Sequence, residues 1–332
     1  MRAAIVETYG TPETIQIVER PAPTPGATEL LVRVHASPVT QGDRRVRAGD
    51  FPGFMAVPGR LMMGLTGPRA TVPGTMFAGF VLAVGDEVTE FAVGDRIFGF
   101  SMGGAHADLL VIDASKGVAH VPDGVRLADA AAVLFGAGTA LPFLRDLGDL
   151  QPGDELLVVG AAGGVGRYAV QVGKHLGARV TGVCSPADVE FVRSLGADRV
   201  IDRSAVDWRE DDQTWAVILD TSGTVSFGQA RPRLTADGSL LNLEISLTLI
   251  RDMLLTAFSK GQKARSTVVL DEQEGVQAVA ALLAAGALRA TIGARFTLEQ
   301  LALAHTTLEG REVQGDVIIE PMAAAPAFAT AS

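Results

Sequence analysis

The chain has 332 residues, of which 48 % are hydrophobic and 20 % charged, and a formal net charge of −10. That length and composition suit one large or two ordinary globular domains and exclude a disordered chain. The acidic balance argues against a nucleic-acid partner, whose phosphates need concentrated Lys and Arg. The single cysteine, Cys184, excludes an intramolecular disulfide and a multi-cysteine zinc site.

The first seven residues, Met1 to Glu7, are too briefly apolar and too soon acidic for a secretory signal. No uninterrupted apolar run reaches about eighteen residues, so no membrane span and a cytoplasmic setting are expected. Residues 1 to about 121 read as short strands between Gly, Pro and Asp turns, as in Glu29 to His35 and Phe80 to Gly85. This punctuation suggests a barrel-like domain. Arg44, Arg45 and Arg47 are the densest basic run and read as a loop, a cofactor contact or a solvated face. Phe51, Phe54, Met62 and Met63 fall in a Gly/Pro-rich segment, 49 to 74, that could shape a pocket or cover the barrel edge. None of the five histidines has metal-ligand spacing with another, and His106, in a Gly-Gly-Ala-His loop that could border the cleft, is expected rather to be solvated.

The texture changes near residue 122. Leu127 to Phe135 and Ala140 to Leu147 read as helices. Strands at 155–160, 179–184, 199–202, 215–220 and 239–244 then alternate with helices at 164–176, 187–195 and 225–235. Such alternation implies a parallel sheet covered on both faces. Asp271 to Gly286 reads as a helix, Val313 to Glu320 as a strand, and the Ala/Pro-rich tail from Ala323 as frayed.

The densest signal is Glu155 to Gly166. An apolar strand runs into Gly160-Ala161-Ala162-Gly163-Gly164-Val165-Gly166, and a helical pattern of Val165, Ala169, Val172 and Leu176 leaves it. Bare N–H groups at a helix start bind anions, and glycines let a diphosphate approach them. The dinucleotide fingerprint is met as Ala161-x-Gly163-x-x-Gly166, with alanine in place of the first glycine.

Together with Glu29 to Val34, Gly94 to Gly99, Gly153 to Val158 and Ser194 to Asp198, this motif resembles the medium-chain dehydrogenase/reductases, within them the zinc-independent quinone oxidoreductase (zeta-crystallin)-like branch. The resemblance implies an α/β protein: a GroES-like β-barrel catalytic domain from residues 1–121 and 271–332, and a doubly wound Rossmann cofactor domain from 122–270. The cleft would lie between them. Zinc-dependent members bind their catalytic metal through Cys, His and Cys; the matching places here are Thr40, Thr75 and Phe135, so no metal is expected. The cofactor-binding positions implied are Thr139 at a helix start, Ala162, Gly163, Gly164, Val165, Gly166, Ser185, Arg203, Ser222, Asn242, Leu243 and Arg311. No carboxylate ends the second strand, where Cys184-Ser185 stands. NADPH is therefore expected over NADH, with Ser185, Arg203 and Arg311 near its phosphate and Asp188 as the contrary sign. Thr40 is the catalytic candidate, through its hydroxyl or a water it holds, or else a pocket wall.

The expected activity is NADPH-dependent reduction of quinones or other small α,β-unsaturated carbonyl compounds. Simple aldehyde or ketone reduction and a cofactor-binding protein with little turnover are the alternatives. A homodimer through Thr267 to Leu270 is expected by resemblance, since pairing an edge strand satisfies its open groups.

Overall fold

The computed structural model describes residues 1–51, 56–267 and 272–321. The N-terminal part contains β1 (Arg2–Ile5), β2 (Gln16–Glu19), β3 (Glu29–Val39), α1 (Gln41–Ala48), α2 (Ala56–Met63), β4 (Met76–Val84), β5 (Arg96–Phe100), β6 (Leu109–Asp113) and β7 (Val118–His120). The middle part contains α3 (Leu127–Pro142), β8 (Glu155–Val159), α4 (Gly166–His175), β9 (Arg179–Cys184), α5 (Val189–Ser194), β10 (Arg199–Asp202), β11 (Trp215–Asp220), α6 (Phe227–Ala230), β12 (Leu234–Asn242), α7 (Leu247–Thr256) and β13 (Lys263–Arg265). The last part holds α8 (Glu272–Ala284), β14 (Ile292–Phe296), α9 (Leu301–Gly310) and β15 (Asp316–Ile319).

The middle strands form one parallel sheet in the order β10-β9-β8-β11-β12-β13. The chain reverses its winding between β8 and β11, so a crevice opens at their carboxyl ends, where doubly wound folds bind ligands. β8 and β11 are buried on both faces, which explains their near-continuous apolar sequence.

A second sheet runs β14-β15-β3-β4-β5-β7, with β6 also on β3. Strands from both ends of the chain therefore build it. β15 pairs antiparallel with the last residues of β3, Ser37 to Val39, just before Thr40.

α3 lies between the two sheets, packing on α4 and α8 on one side and on β3, β4 and β5 on the other. The two helical segments expected here are one: α3 continues through Pro142 into a wider π turn, Phe143–Leu147. Pro142 lacks the N–H that an α ladder needs, which accounts for the change of winding. The joined helix, 127–147, is long and apolar enough to cross a membrane by length and composition, yet 72 % of its most apolar window is buried in the protein. Residues 136–139, left between the two expected helices, lie inside it. A Cβ on Gly136 would fall 2.1 Å from Tyr168 Cδ2 and 2.5 Å from the Gly164 carbonyl oxygen, so this glycine lets α3 approach the glycine turn. The helix expected over 225–235 shrinks to the single turn of α6, because Pro232 and an early start of β12 cut it short.

Candidate active site

The glycine turn follows β8 directly. Gly160 has φ +83°, and its Cβ would meet Thr221 Oγ1 at 2.6 Å. The tight turn assigned to the first fingerprint position is thus made one residue earlier, which frees Ala161 to be an alanine. A Cβ on Gly166 would sit 2.1 Å from the Gly160 carbonyl oxygen, so α4 can pack on β8 only with glycine there. Gly164 differs: its Cβ would meet nothing closer than Arg167 Nη2, at 3.9 Å. The fold leaves open the space above Gly164.

The backbone tells the same story. Gly160 and Ala161 both donate to the Val183 carbonyl, and Gly163 donates to Gly160 at 2.9 Å. The N–H groups of Ala162, Gly164, Val165 and Gly166 find no acceptor among the described residues. Four free donors at the start of a helix, beside a glycine with room above it, fit a diphosphate. Thr221, not anticipated from sequence, ties the crevice together by donating to the carbonyls of Val159 and Gly160 at 2.9 and 3.2 Å.

At the end of β9, Ser185 is in the expected place but its hydroxyl proton is already given to Asp188. Gln314, from the loop before β15, donates to the other Asp188 oxygen at 2.8 Å and to the Ala187 carbonyl at 2.9 Å. The Ser185 hydroxyl is thus engaged with Asp188 in this structure and not free. Arg203 is exposed, and its N–H donates to the Cys184 carbonyl at 3.0 Å, which places it beside Ser185. Cys184 itself is buried, with burial pushing its thiol up to about 11, so it is inert. Arg311 ends α9 in a left-handed conformation, φ 53°, and is exposed. Among the described residues no hydrogen bond or ion pair ties its guanidinium to the glycine turn.

The ends of β11 and β12 lie side by side, Asp220 opposite Asn242. Asp220 is fully buried and accepts from the N–H groups of Ser222 and Val225, from Ser222 Oγ and from Asn242 Nδ2. Asn242 Oδ1 accepts from the Glu244 N–H, and the Leu243 N–H goes to the Asp220 carbonyl. The side chains of Ser222 and Asn242, and the amide of Leu243, thus shape the crevice wall rather than present free groups to a ligand. Asp220 organises the wall; its signal was the run Asp-Thr-Ser-Gly after a strand, which is an Asx-turn sequence.

On the barrel side, Thr40 is the N-cap of α1 in a capping box. Thr40 Oγ1 donates to Asp43 Oδ2 at 2.6 Å, the Thr40 N–H donates to the same oxygen at 2.8 Å, and the Asp43 N–H donates back to Thr40 Oγ1 at 3.2 Å. Thr75 Oγ1 reaches Asp43 Oδ1 at 3.3 Å, and the Gly42 Cβ position lies 3.9 Å from Phe135 Cε2. Thr40, Thr75 and Phe135 are therefore gathered around Asp43 and Gly42. Two hydroxyls and a phenyl ring do not make a zinc site, and no group of three or more His, Cys, Asp or Glu suited to a metal occurs among the described residues. Thr139 lies one turn after Phe135 in the interior of α3, not at a helix start, and its hydroxyl donates to the Phe135 carbonyl at 2.8 Å.

His106 is fully buried, not solvated, with Nε2 3.3 Å from the Pro38 carbonyl. The basic run divides: Arg44 pairs with Asp50, Arg45 crosses to Glu244 just beyond Asn242, and Arg47 is buried and pairs with Glu309. The two domains are also joined behind the glycine turn. Arg167 Nε donates to the Gly163 carbonyl at 3.1 Å, while Nη1 lies 3.7 Å from Asp316 Oδ1. Asp316 Oδ2 accepts from the Tyr168 and Thr291 hydroxyls. Burial holds both Asp316 and Tyr168 above their ordinary pKa ranges, Tyr168 well above.

Residues 26–123 match the model of the alcohol dehydrogenase GroES-like domain, and residues 195–319 that of the zinc-binding dehydrogenases. A quinone oxidoreductase of Pseudomonas aeruginosa is 33 % identical over 339 residues, covering 94 % of this chain and 97 % of the relative. A solved quinone oxidoreductase of Pseudomonas syringae superposes with a TM-score of 0.80 at 26 % identity, over 96 % of this chain and 99 % of that one. A thermostable alcohol dehydrogenase of Pyrobaculum aerophilum with bound cobalt and zinc gives 0.79 at 27 % identity, over 97 % and 99 %. The chain belongs to the medium-chain dehydrogenase/reductase superfamily, in its quinone oxidoreductase-like branch, and is an NAD(P)H-dependent oxidoreductase.

Proposed function

We propose that this oxidoreductase reduces quinones or other small α,β-unsaturated carbonyl compounds, and that it does so without zinc. The reading rests on one observation: of the places that hold metal ligands in zinc-dependent members, Thr40 and Thr75 are hydrogen-bonded to Asp43 instead, and Phe135 offers no ligand atom. The reduced nicotinamide supplies a hydride. The protein's share is to hold the diphosphate on the N–H groups of Ala162 to Gly166, to keep the crevice wall rigid through Asp220, and to meet negative charge growing on the substrate oxygen with the Thr40 hydroxyl. The quinone oxidoreductase names of the Pseudomonas relatives support this substrate class over a simple aldehyde or ketone.

Following the loss of reduced-nicotinamide absorbance with quinones, enones and aldehydes tests the proposal, alongside a metal assay of the purified protein. Turnover with quinones or enones at substoichiometric zinc is expected. A flat trace despite tight nucleotide binding would leave a cofactor-binding protein.

The choice of nucleotide has two readings. NADPH is favoured by the exposed Arg203 and by the absence of an acid at position 185. NADH is favoured by one specific observation: Asp188, held from both sides by Ser185 and Gln314, keeps a carboxylate just after β9, and such a group would repel a nearby 2′-phosphate but accept from a 2′-hydroxyl. Comparing kcat/KM for the two nucleotides decides between them.

A homodimer follows the same line of reasoning. Of the strand expected at 267–270, residues 268–270 lie outside the described residues; the described sheet ends at β13. Beside β13, α7 and the turn after it expose Leu254, Leu255 and Phe258, the last 98 % exposed, and a second copy would cover them. Light scattering at micromolar concentration is expected to give twice the chain mass.

A further inference from the structure

Behind the Thr40–Asp43 cluster lies a second group of buried polar side chains for which the site has no use so far. His106 and His305 are both fully buried, their rings perpendicular with centroids 6.4 Å apart. His106 is held against Pro38, two residues before Thr40, and a Cβ on Gly74, next to Thr75, would lie 2.8 Å from its ring. His305 comes from α9. Arg47, from α1, is buried beside it and leads outward: Nη1 donates to the Gly10 carbonyl, and Nη2 pairs with Glu309, whose side chain is one-third exposed.

Six buried side-chain nitrogens lack a partner among the described residues, and four belong to this group: His106 Nδ1, His305 Nδ1, His305 Nε2 and Arg47 Nε. Nitrogens in a dry interior are normally matched, and ordered water is the partner that suits imidazole and guanidinium together. The Pro38 carbonyl can only accept, so it fixes the proton of His106 on Nε2 and leaves Nδ1 as an acceptor.

We propose that His305, His106 and Arg47 line a buried water path that carries protons from the surface at Glu309 to Asp43 and Thr40. The path would neutralise the anion left by hydride transfer, and it rests on the reductase reading given above. The balance is simple. The hydride brings two electrons and one hydrogen to the substrate, whose oxygen becomes negative. That oxygen takes a proton from Thr40 Oγ, which takes one through the Asp43 carboxyl as Asp43 takes one from the water path. The resulting arrangement, with Thr40 donating to a carboxylate, is the one seen in the structure. The water path is recharged from solvent, so one proton is consumed per turnover. The charged groups facing the path are Asp43, Arg47 and Glu309, with Arg44 and Glu13 close to Arg47. Both imidazoles are held below their ordinary range by burial; His106 offers the water only its Nδ1 acceptor, while both ring nitrogens of His305 are open to it. The two histidines touch no substrate and act through Asp43 and Thr40.

The test separates hydride transfer from proton delivery in the full-length holoenzyme. In His305→Leu, cofactor oxidation in a single turnover is expected to stay within about twofold of the parent. Steady-state turnover is expected to fall about tenfold and its solvent deuterium isotope effect to rise, because general-acid delivery has become limiting. A purely structural role would slow both phases together, and that result overturns the path, as does an unchanged isotope effect. If His305→Leu does not fold, Glu309→Gln at the exposed mouth is read the same way: a larger solvent isotope effect with unchanged single-turnover hydride transfer is expected, and no change overturns the path. Failure of the parent protein to oxidise either nucleotide with any acceptor would instead sink the reductase reading itself.

Discussion

The glycine turn and the Thr40 corner face the same cleft but are built on opposite terms. At the turn, function resides in what is left out: four N–H groups without acceptors and a missing side chain at Gly164. At Thr40, every hydroxyl and carboxylate is already bonded to a neighbour. The first region is ready for its ligand and needs no rearrangement to receive it. The second must give up an internal hydrogen bond before it can serve a substrate. Preorganisation and commitment are thus separated, one on each side of the cleft.

The contrast breaks most sharply at Gly166. Gly166→Val drives a side chain into the Gly160 carbonyl, and a loss of about 3 kcal/mol in denaturant unfolding is expected from overpacking. At the committed corner, Thr40→Val should lower kcat about 100-fold with KM little changed, if its proton is the one delivered; full turnover would reduce Thr40 to a wall. Acid should expose the buried histidines next. Burial, with His106 and Arg47 nearby, lowers His305 from 6.5 to about 2. The unfolded chain therefore takes up a proton there below pH 6.5 that the folded chain refuses. Stability is full above that pH and is lost as pH falls, by on the order of 2 kcal/mol between 6.5 and 5. Urea melts of the parent and of His305→Leu should differ by that slope. Gly164→Ala should leave stability intact, because the added Cβ meets no close protein atom, yet raise the dissociation constant for the nucleotide about tenfold, ~1.4 kcal/mol, by isothermal titration. The smallest effect is expected at Asp188, a half-exposed charge: Asp188→Ala should move the ratio of kcat/KM toward NADPH by roughly fivefold, and a shift toward NADH would show that the carboxylate does not face the phosphate.

Much of the first region was legible in the chain, and little of the second. The apolar run into glycines, with a helical pattern after it, places the turn between β8 and α4 because local conformation and backbone approach are sequence-local demands. Even there, the tight turn falls on Gly160 instead of position 161, since the fingerprint does not say which residue carries the positive φ. The single helix α3 was expected as two, with 136–139 left between them, because a glycine that admits Tyr168 carries no helix signal of its own. Thr139, placed at a helix start by the family resemblance, lies in the interior of that same helix. The partners of Asp188 and His106 were out of reach for a different reason. Gln314 lies 126 residues beyond Asp188, and His305 lies 199 positions after His106; only the folded chain brings them together. The Arg45 and Arg47 ion pairs, to Glu244 and Glu309, are long-range in the same way.

β15 has one more consequence. It sits against β3 next to Thr40, and its first residue, Asp316, reaches the guanidinium that holds the glycine turn. During synthesis neither half can reach its final form until residue 319 has cleared the ribosome. The emerging Rossmann strands can pair among themselves, but the barrel keeps an open margin along β3, and the anion cradle lacks its brace. Competence therefore arrives all at once, when the four-residue strand β15 closes both halves together.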